Sequence, residues 1–127
     1  MRFLLDTHTF LWFVTNDMKL GEKARQLISE PTNQIFISPA TYWEVAIKVS
    51  IGKYPLTVPF EDFFNTALEE NSFSILPIGI NHAAVLASLP MHHRDPFDRM
   101  IIAQSIAEKI PVISSDAEFD SYNLKRI

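Results

Sequence analysis

Short apolar runs alternate with longer amphipathic segments along the whole sequence. Four of the runs have the length and composition of buried strands, at 3–5, 35–37, 73–77 and 111–113. The segments between them carry apolar residues at helical spacing, most clearly at 60–70. Strands that alternate with helices pair as a mainly parallel sheet with helices packed on it. The sequence therefore predicts an α/β fold with a central sheet of four to five short strands flanked by helices, the fifth lying in the C-terminal tail.

Capping signals indicate where the helices begin. Helices are predicted at 8–14, 21–30, 39–50, 60–70, 80–89 and 96–109. Ser38 precedes a proline, and so does Asp95; serine and aspartate are favoured N-caps, and proline is favoured at the first helical position. Asp98 stands three residues after the capping Asp95, so the two carboxylates share one face of their helix.

Composition limits the classes of protein to which the chain can belong. Its 127 residues are the size of one domain, and 47% hydrophobic residues are enough for a core, which excludes a disordered chain. A net charge of -4 argues against nucleic-acid binding by bulk electrostatics. The absence of cysteine excludes disulfides and cysteine zinc sites, and no apolar run is long enough for a signal peptide or a membrane helix. These features predict a cytoplasmic protein with no membrane partner.

Four acidic residues occupy positions that the predicted fold brings to one edge of the sheet. Asp6 directly follows the first strand and Asp116 closely follows the fourth. Glu44 lies in the helix that follows the second strand, and Asp98 lies in the first turn of a helix that follows another helix. Because the carboxyl ends of parallel strands share one edge, we expect these side chains to converge there. Asp98 is placed at this edge by inference only, since no strand leads into its helix.

Converging carboxylates need a cation. Two of them about 4 Å apart repel by roughly 4 kcal/mol at an effective dielectric near 20, so the cluster must take up protons or bind a metal. Oxygen ligands suit Mg²⁺ and Mn²⁺, and such a site lowers the pKa of bound water and stabilises charge on a phosphoryl oxygen. With no glycine-rich phosphate loop, a substrate phosphate would meet the metal and the nearby Arg94, Arg99 or Lys48. This pattern favours phosphodiester hydrolysis.

Each acid taken singly also has an ordinary structural explanation, which for Asp6 is the N-cap of the helix that follows it. Asp95 is explained by helix capping alone. Glu44 lies among apolar residues, which is costly for a carboxylate unless a cation or partner faces it, but an i,i+4 pair with Lys48 on a solvent-exposed face is an equal alternative.

Four sequence pieces, in order, match a known family: FLLDTH, SPATYWEVAIK, HRDPFDRMIIAQ and VISSDAEF. The chain resembles the PIN-domain nucleases, and among them the VapC-like toxins of bacterial type II toxin–antitoxin pairs. The resemblance implies one PIN domain over residues 1–127 and an endoribonuclease that uses Mg²⁺ or Mn²⁺. It implies a catalytic quartet with Asp95 as a weaker fifth member, metal on three of the four acids, and accessory roles for Thr7 and Ser114. The implied quartet is Asp6, Glu44, Asp98 and Asp116, with metal on Asp6, Asp98 and Asp116.

The same resemblance implies protein partners. Toxins of this kind form homodimers, act on RNA, and are held inactive by a small antitoxin that covers apolar grooves and reaches the acidic site. Large aromatic side chains are enriched at such interfaces. The candidates here are Trp12, Phe13, Trp43 and Tyr54, each of which has the hydrophobic core as its alternative location.

Three other functions are open to the same residues. A phosphatase would use Asp6 as nucleophile, but His8 stands where a D-x-D motif has its second acid. A non-catalytic PIN-like binding module would be expected to lack one of the acids. Zinc chemistry through His8, His82, His92 and His93 lacks the i,i+4 histidine pair of helical sites. We therefore expect the histidines to be exposed polar residues or phosphate contacts, with His82 at the surface or in a helix cap.

Overall fold

A parallel sheet of four short strands forms the centre of the chain, whose computed structural model describes residues 1–127. The strands are β1 (Arg2–Leu5), β2 (Gln34–Ile37), β3 (Ser74–Ile75) and β4 (Val112–Ile113), in the spatial order β3-β2-β1-β4. All three pairings are parallel. The predicted α/β fold with a mainly parallel sheet is confirmed.

Six α-helices and one 3-10 helix surround the sheet. They are α1 (Thr7–Val14), α2 (Glu22–Ser29), α3 (Pro39–Ser50), α4 (Phe60–Asn71), α5 (Ile80–Ala87), α6 (Pro96–Glu108) and the 3-10 helix at Ala117–Ser121. The 3-10 helix had no counterpart in the sequence prediction. The predicted fifth strand is reduced to a single parallel bridge between Val112 and Arg126. None of the helices combines the length and the apolar run needed to cross a membrane.

Strand register aligns the segments that leave the sheet. Leu5 at the end of β1 pairs with Ile37 at the end of β2 and with Ile113 at the end of β4. The next residue of each strand, Asp6, Ser38 or Ser114, therefore leaves the same edge beside the others. This common edge is where the sequence placed the acidic site.

The central strand is buried on both faces. Phe3 and Leu5 point to one side, where they pack with Phe10 of α1, and Leu4 points to the other, where it packs with Ile101 of α6. All of these side chains are almost fully buried. The two cores hold α1 and α6 on opposite sides of β1, so that each helix can start near the carboxyl edge.

The starts of α3 and α6 meet above that edge. Ser38 caps α3 by accepting a hydrogen bond from the Ala40 N–H at 3.0 Å, and Asp95 caps α6 as predicted. Between the two helices, the rings of Trp43 and Phe97 contact edge to face with centroids 5.5 Å apart. This contact explains how α6, which follows another helix rather than a strand, still begins beside the carboxyl ends of the strands.

Tyr122 ties the C-terminal segment to the loop that precedes α6. Its hydroxyl donates to the Pro90 carbonyl at 2.8 Å and accepts from the His93 backbone N–H at 2.7 Å. Tyr122 is 7% exposed, so both hydrogen bonds are shielded from water. The hydroxyl thereby fixes the position of His93.

Tyr122→Phe should lower the free energy of unfolding by about 1–3 kcal/mol, because the His93 N–H and the Pro90 carbonyl lose their shared partner in a buried place. Tyr42→Phe is the matched control, since the Tyr42 hydroxyl makes no hydrogen bond within the chain, and a change within about 0.5 kcal/mol is expected there. Urea unfolding of both variants measures the difference. Equal stabilities would contradict the structural role of the Tyr122 hydroxyl.

Candidate active site

Asp6 is held in place by two hydrogen bonds at the carboxyl edge. As the N-cap of α1, its Oδ1 accepts from the Thr9 N–H at 2.9 Å, and its Oδ2 accepts from the Ser114 hydroxyl at 2.6 Å. The Ser114 Oγ in turn accepts from the Asp116 N–H at 3.0 Å. Asp6 and the start of the Asp116 segment are thus joined through Ser114. The Thr7 hydroxyl contacts the Thr41 hydroxyl at 3.3 Å, and its accessory role stays a prediction.

Glu44 has a buried carboxylate with only one oxygen satisfied. Its Oε2 lies 3.1 Å from the Lys48 ammonium, so the predicted i,i+4 pair does form. Glu44 is only 6% exposed, however, so the pair does not lie on an open solvent face. Its Oε1 is buried without a hydrogen-bond partner. A buried acceptor of this kind is costly, and a proton or a cation would satisfy it.

Asp95 both caps α6 and takes part in the cluster. Its Oδ1 alone accepts from the N–H groups of Phe97, at 2.8 Å, and Asp98, at 3.0 Å. Its Oδ2 makes no hydrogen bond. A carboxylate oxygen from each of Glu44, Asp95 and Asp98 lies within 4.8 Å of the others. Capping and membership of the acidic cluster are therefore compatible.

His93 is the site residue that the sequence did not reveal. It is 8% exposed, which corrects the expectation of an exposed side chain; His92, its neighbour, is exposed as expected. Its Nδ1 accepts from the Asp95 N–H at 3.2 Å, so the ring proton belongs on Nε2. Nε2 lies 3.2 Å from Asp116 Oδ2 and 3.1 Å from Asp98 Oδ2. The only signal in the sequence was its place two residues before the capping Asp95.

Asp98 stands between two groups of possible metal ligands. One group is Glu44, Asp95 and Asp98, and the other is His93, Asp98 and Asp116. Burial, followed by the negative charges of Asp95 and Asp6, raises the pKa of Asp98 to about 7, and His93 opposes this with a smaller lowering. Asp6 belongs to neither group, but its charge reaches Asp98. We define the acidic cluster as Asp6, Glu44, Asp95, Asp98 and Asp116, which together with His93 share this edge of the sheet.

The donor set of the cluster fits a hard divalent cation. It offers carboxylate oxygens, which suit Mg²⁺ or Mn²⁺, whereas the protonated Nε2 of His93 faces two of these carboxylates and has no free lone pair for a metal. The unpaired Glu44 Oε1 and the raised pKa of Asp98 both indicate negative charge that lacks compensation. Asp98 and Asp116 are within ligand distance of a shared ion. The assignment of Asp6 as a third ligand stays a prediction, because both of its oxygens already accept hydrogen bonds.

The basic residues near the cluster have different environments. Arg99 is buried and donates to the carbonyls of Pro90 at 2.9 Å, Leu89 at 3.2 Å and His93 at 3.4 Å. This corrects its interpretation as a phosphate contact: the guanidinium fixes the loop that carries His93. Arg94 is exposed and forms no ion pair, and Lys48 is paired with Glu44, so these two remain candidates for phosphate contact.

Three of the four aromatic interface candidates are half-buried. Trp12, Phe13 and Tyr54 pack partly against the core, whereas Trp43 is 61% exposed.

The remaining histidine, His82, caps the start of α5: its Nδ1 accepts from the Gly79 N–H at 2.9 Å, and its Nε2 lies 3.0 Å from Glu108. The predicted capping role of His82 is correct, but its side chain is buried.

Comparison with known proteins gives a family and a shared fold. The family model described as PIN domain matches residues 3–124. The chain is similar to VapBC2 from Rickettsia felis bound to a promoter DNA fragment, with 15% identity, a TM-score of 0.74, and coverage of 100% of this chain and 98% of that chain. It is also similar to FitAcB from Neisseria gonorrhoeae, with 20% identity, a TM-score of 0.69, and coverage of 98% of this chain and 96% of that chain. A third similar structure is VapBC-5 from Mycobacterium tuberculosis, a member of the VapBC family of toxin–antitoxin systems. Its identity is 20% and its TM-score is 0.62, with coverage of 99% of this chain and 98% of that chain. No curated protein matched the chain.

In the metal-free protein, the free energy of unfolding should fall as the pH rises from about 4 to about 7, because folding raises the pKa of Asp98 from 3.8 to about 7. Over this range the folded chain holds a proton that the unfolded chain has lost, so ionising Asp98 in place costs stability, on the order of 2–4 kcal/mol. Urea unfolding in EDTA across this pH range measures the effect.

Asp98→Asn should remove this part of the pH dependence, since its amide does not titrate. Asp62→Asn, at an exposed position on α4 outside the acidic cluster, should retain it. Parallel pH profiles for the wild type and Asp98→Asn would show that Asp98 ionises as it does in water.

Proposed function

Because this chain belongs to the PIN domain family, we propose that it is a metal-dependent endoribonuclease and the toxin of a type II toxin–antitoxin pair. The observation that carries the proposal is the environment of Asp98. A half-buried carboxylate with a pKa of about 7 lies among four other acids at one edge of a parallel sheet. Perturbed carboxylates grouped in this way are typical of sites that bind a cation and act on a charged substrate.

Mg²⁺ or Mn²⁺ would be held by Asp98 and Asp116 together with a carboxylate of the neighbouring group. When bound, the ion supplies positive charge to the phosphodiester and lowers the pKa of a water molecule. Asp98 gives up its proton near neutral pH, so the cluster is ready to take up a cation at the pH of the cell. Glu44 Oε1, which has no hydrogen-bond partner within the chain, would accept a proton from an attacking water that reaches it.

The surrounding residues keep the acids in position. Ser114 and the Thr9 N–H hold both oxygens of Asp6, and the His93 Nε2–H spans Asp98 and Asp116. Positioning residues of this kind reduce the reorganisation that substrate binding would otherwise require. Lys48, beside Glu44, adds a positive charge close to where the scissile phosphate would lie.

The assignment as a toxin rests on the chain's relatives. The similar structures are described as VapBC and FitAB-type assemblies, one of them explicitly as part of a toxin–antitoxin family. We extend this to a cognate antitoxin and a homodimer for the present chain, acting in the cytoplasm. An exposed apolar stripe on α3 and its C-cap suits contact with a protein partner; it consists of Trp43, Ile47 and Ile51.

A phosphatase that uses Asp6 as nucleophile is less well supported. His8, at the position of the missing second acid, is exposed and stacks on Trp12 with ring centroids 5.7 Å apart. Release of inorganic phosphate from a small phosphate ester, without cleavage of RNA, would revive that alternative.

Asp98→Asn and Asp6→Asn should each reduce metal-dependent RNA cleavage by at least about 100-fold, because each removes a negative charge from the cluster that holds the cation. Asp6→Asn should retain the fold, since asparagine caps α1 as well as aspartate does, and Asp98→Asn should retain it because Asp98 caps no helix. Gel analysis of total RNA with Mg²⁺ or Mn²⁺, and with EDTA as the metal-free control, measures cleavage. Asp62→Asn is the matched control on α4 and should cleave normally. Undiminished cleavage by purified Asp98→Asn would refute the assignment.

Expression of the wild-type chain alone should arrest bacterial growth, and Asp98→Asn should restore it. Co-expression of the product of a short open reading frame immediately beside this gene should also restore growth, because an antitoxin would cover the site. Colony counts under induction measure both effects. RNA cleavage in vitro without growth arrest would support the assignment as a nuclease and contradict the assignment as a toxin.

A further inference from the structure

Two cavities lie on either side of Trp12, next to the acidic cluster. The larger, of about 420 Å³, is lined by His8, Trp12, Lys19, Lys48, Lys53 and Tyr54 among others. The smaller, of about 220 Å³, is lined by Trp12, Lys19, Lys23 and Ser114 among others. We call the two together the Trp12 groove, since they share Trp12 and Lys19. The larger one is within the usual size range of ligand sites, about 300–1,000 Å³.

Both ends of the groove contact residues that hold the acids. In the larger cavity, the Lys48 ammonium lies 3.1 Å from Glu44. In the smaller cavity, Ser114 donates to Asp6 at 2.6 Å. A polymer lying in the groove would therefore pass beside the acidic cluster.

The groove is basic on a protein that is acidic overall. Four of the six lysines line it, although the chain has a net charge of -4. Asp17 is the one acidic side chain that lines either cavity. Lys48 is paired with Glu44, but Lys19, Lys23 and Lys53 form no ion pair within the chain. Such unpaired ammonium groups suit the phosphates of a nucleic-acid backbone.

Aromatic rings are interleaved with these lysines. Trp12 and Tyr54 are half-buried, with one part against the core and the rest available in the groove. The His8 ring already stacks on Trp12 at an interplanar angle of 30°. Lysines that neutralise phosphates and aromatic rings that stack on bases are the two components of sites for single-stranded nucleic acid. Paired bases are already stacked in a duplex, so such rings favour an unpaired strand.

We propose that the Trp12 groove binds a single-stranded segment of the RNA substrate, with a base stacked on Trp12 and backbone phosphates on Lys19 and Lys53. The proposal rests on the proposed nuclease function and assigns residues of this chain to the path of the substrate strand. The position of the groove beside Glu44 and Asp6 favours this occupant over an acidic protein segment, because the strand that it holds continues to the acids.

Tryptophan fluorescence provides a direct test, because the chain has only two tryptophans and one of them, Trp43, is on exposed α3 surface. Trp43→Phe leaves Trp12 as the sole reporter, and Trp12→Phe leaves Trp43. Each is made in the Asp98→Asn background, and gels confirm that the RNA stays intact. Titration with a short unstructured RNA should quench the emission of Trp12 and leave that of Trp43 unchanged. The same sequence as a duplex should quench neither.

Affinity measurements give a second readout that does not depend on the reporters. Trp12→Ala should weaken binding of the unstructured RNA by about 5- to 100-fold, as expected when one base no longer stacks on an aromatic ring. The double variant Lys19→Ala, Lys53→Ala should lower the slope of log affinity against log salt by about 0.7 for each phosphate that is no longer neutralised. Lys125→Ala, an exposed lysine outside the groove, should leave the slope unchanged.

The outcomes separate this proposal from the nuclease assignment. RNA cleavage by the wild type, together with unchanged Trp12 emission and unchanged affinity of the lysine double variant, would contradict RNA binding in the Trp12 groove. It would leave the proposed nuclease function intact. If RNA quenches Trp12 but the wild type fails to cleave that RNA with any divalent ion, RNA binding in the Trp12 groove is supported and the proposed nuclease function is contradicted. Quenching by polyglutamate but not by RNA would overturn the groove in favour of an acidic protein segment.

Discussion

The parallel pairing of β1 with both β2 and β4 is the constraint on which the site depends. Because Leu5 is in register with Ile37 and with Ile113, β1, β2 and β4 end side by side at the same edge of the sheet. Backbone hydrogen bonds in the sheet set this register, and the buried side chains of Phe3, Leu4 and Leu5 prevent β1 from shifting out of it. Acids that follow the strands are therefore brought together by the sheet, whatever the repulsion between them.

That repulsion is reduced by neighbours with hydrogen-bond donors rather than by full ion pairing. Asp6 receives a hydroxyl and a backbone N–H, Glu44 a lysine, and Asp98 and Asp116 one imidazole between them. Burial together with this partial compensation leaves Asp98 with a pKa of about 7, and Glu44 keeps a buried oxygen without a hydrogen-bond partner. A site of this kind gives up some stability in the absence of a cation and recovers it when one binds.

The sequence was most informative where local signals act. Strand ends identified Asp6 and Asp116, and the serine–proline and aspartate–proline caps identified the starts of α3 and α6. Residues whose roles come from distant contacts were missed. His93 is fixed by Tyr122, which is 29 residues away, and Arg99 is turned inward by three carbonyls of a loop that has no sequence signature. The basic groove was missed for the same reason, since its lysines are scattered between positions 19 and 53.

The hydrogen bond from Ser114 to Asp6 joins residues that are 108 positions apart. It forms only after β4 and Ser114 have been synthesised, because Ser114 lies 108 residues after Asp6. An incomplete nascent chain would have Asp6 and Glu44 but neither Ser114 nor Asp116, and β1 would lack one of its two neighbours. Synthesis itself would therefore delay the proposed activity, giving a partner made at the same time an opportunity to bind before the site is complete.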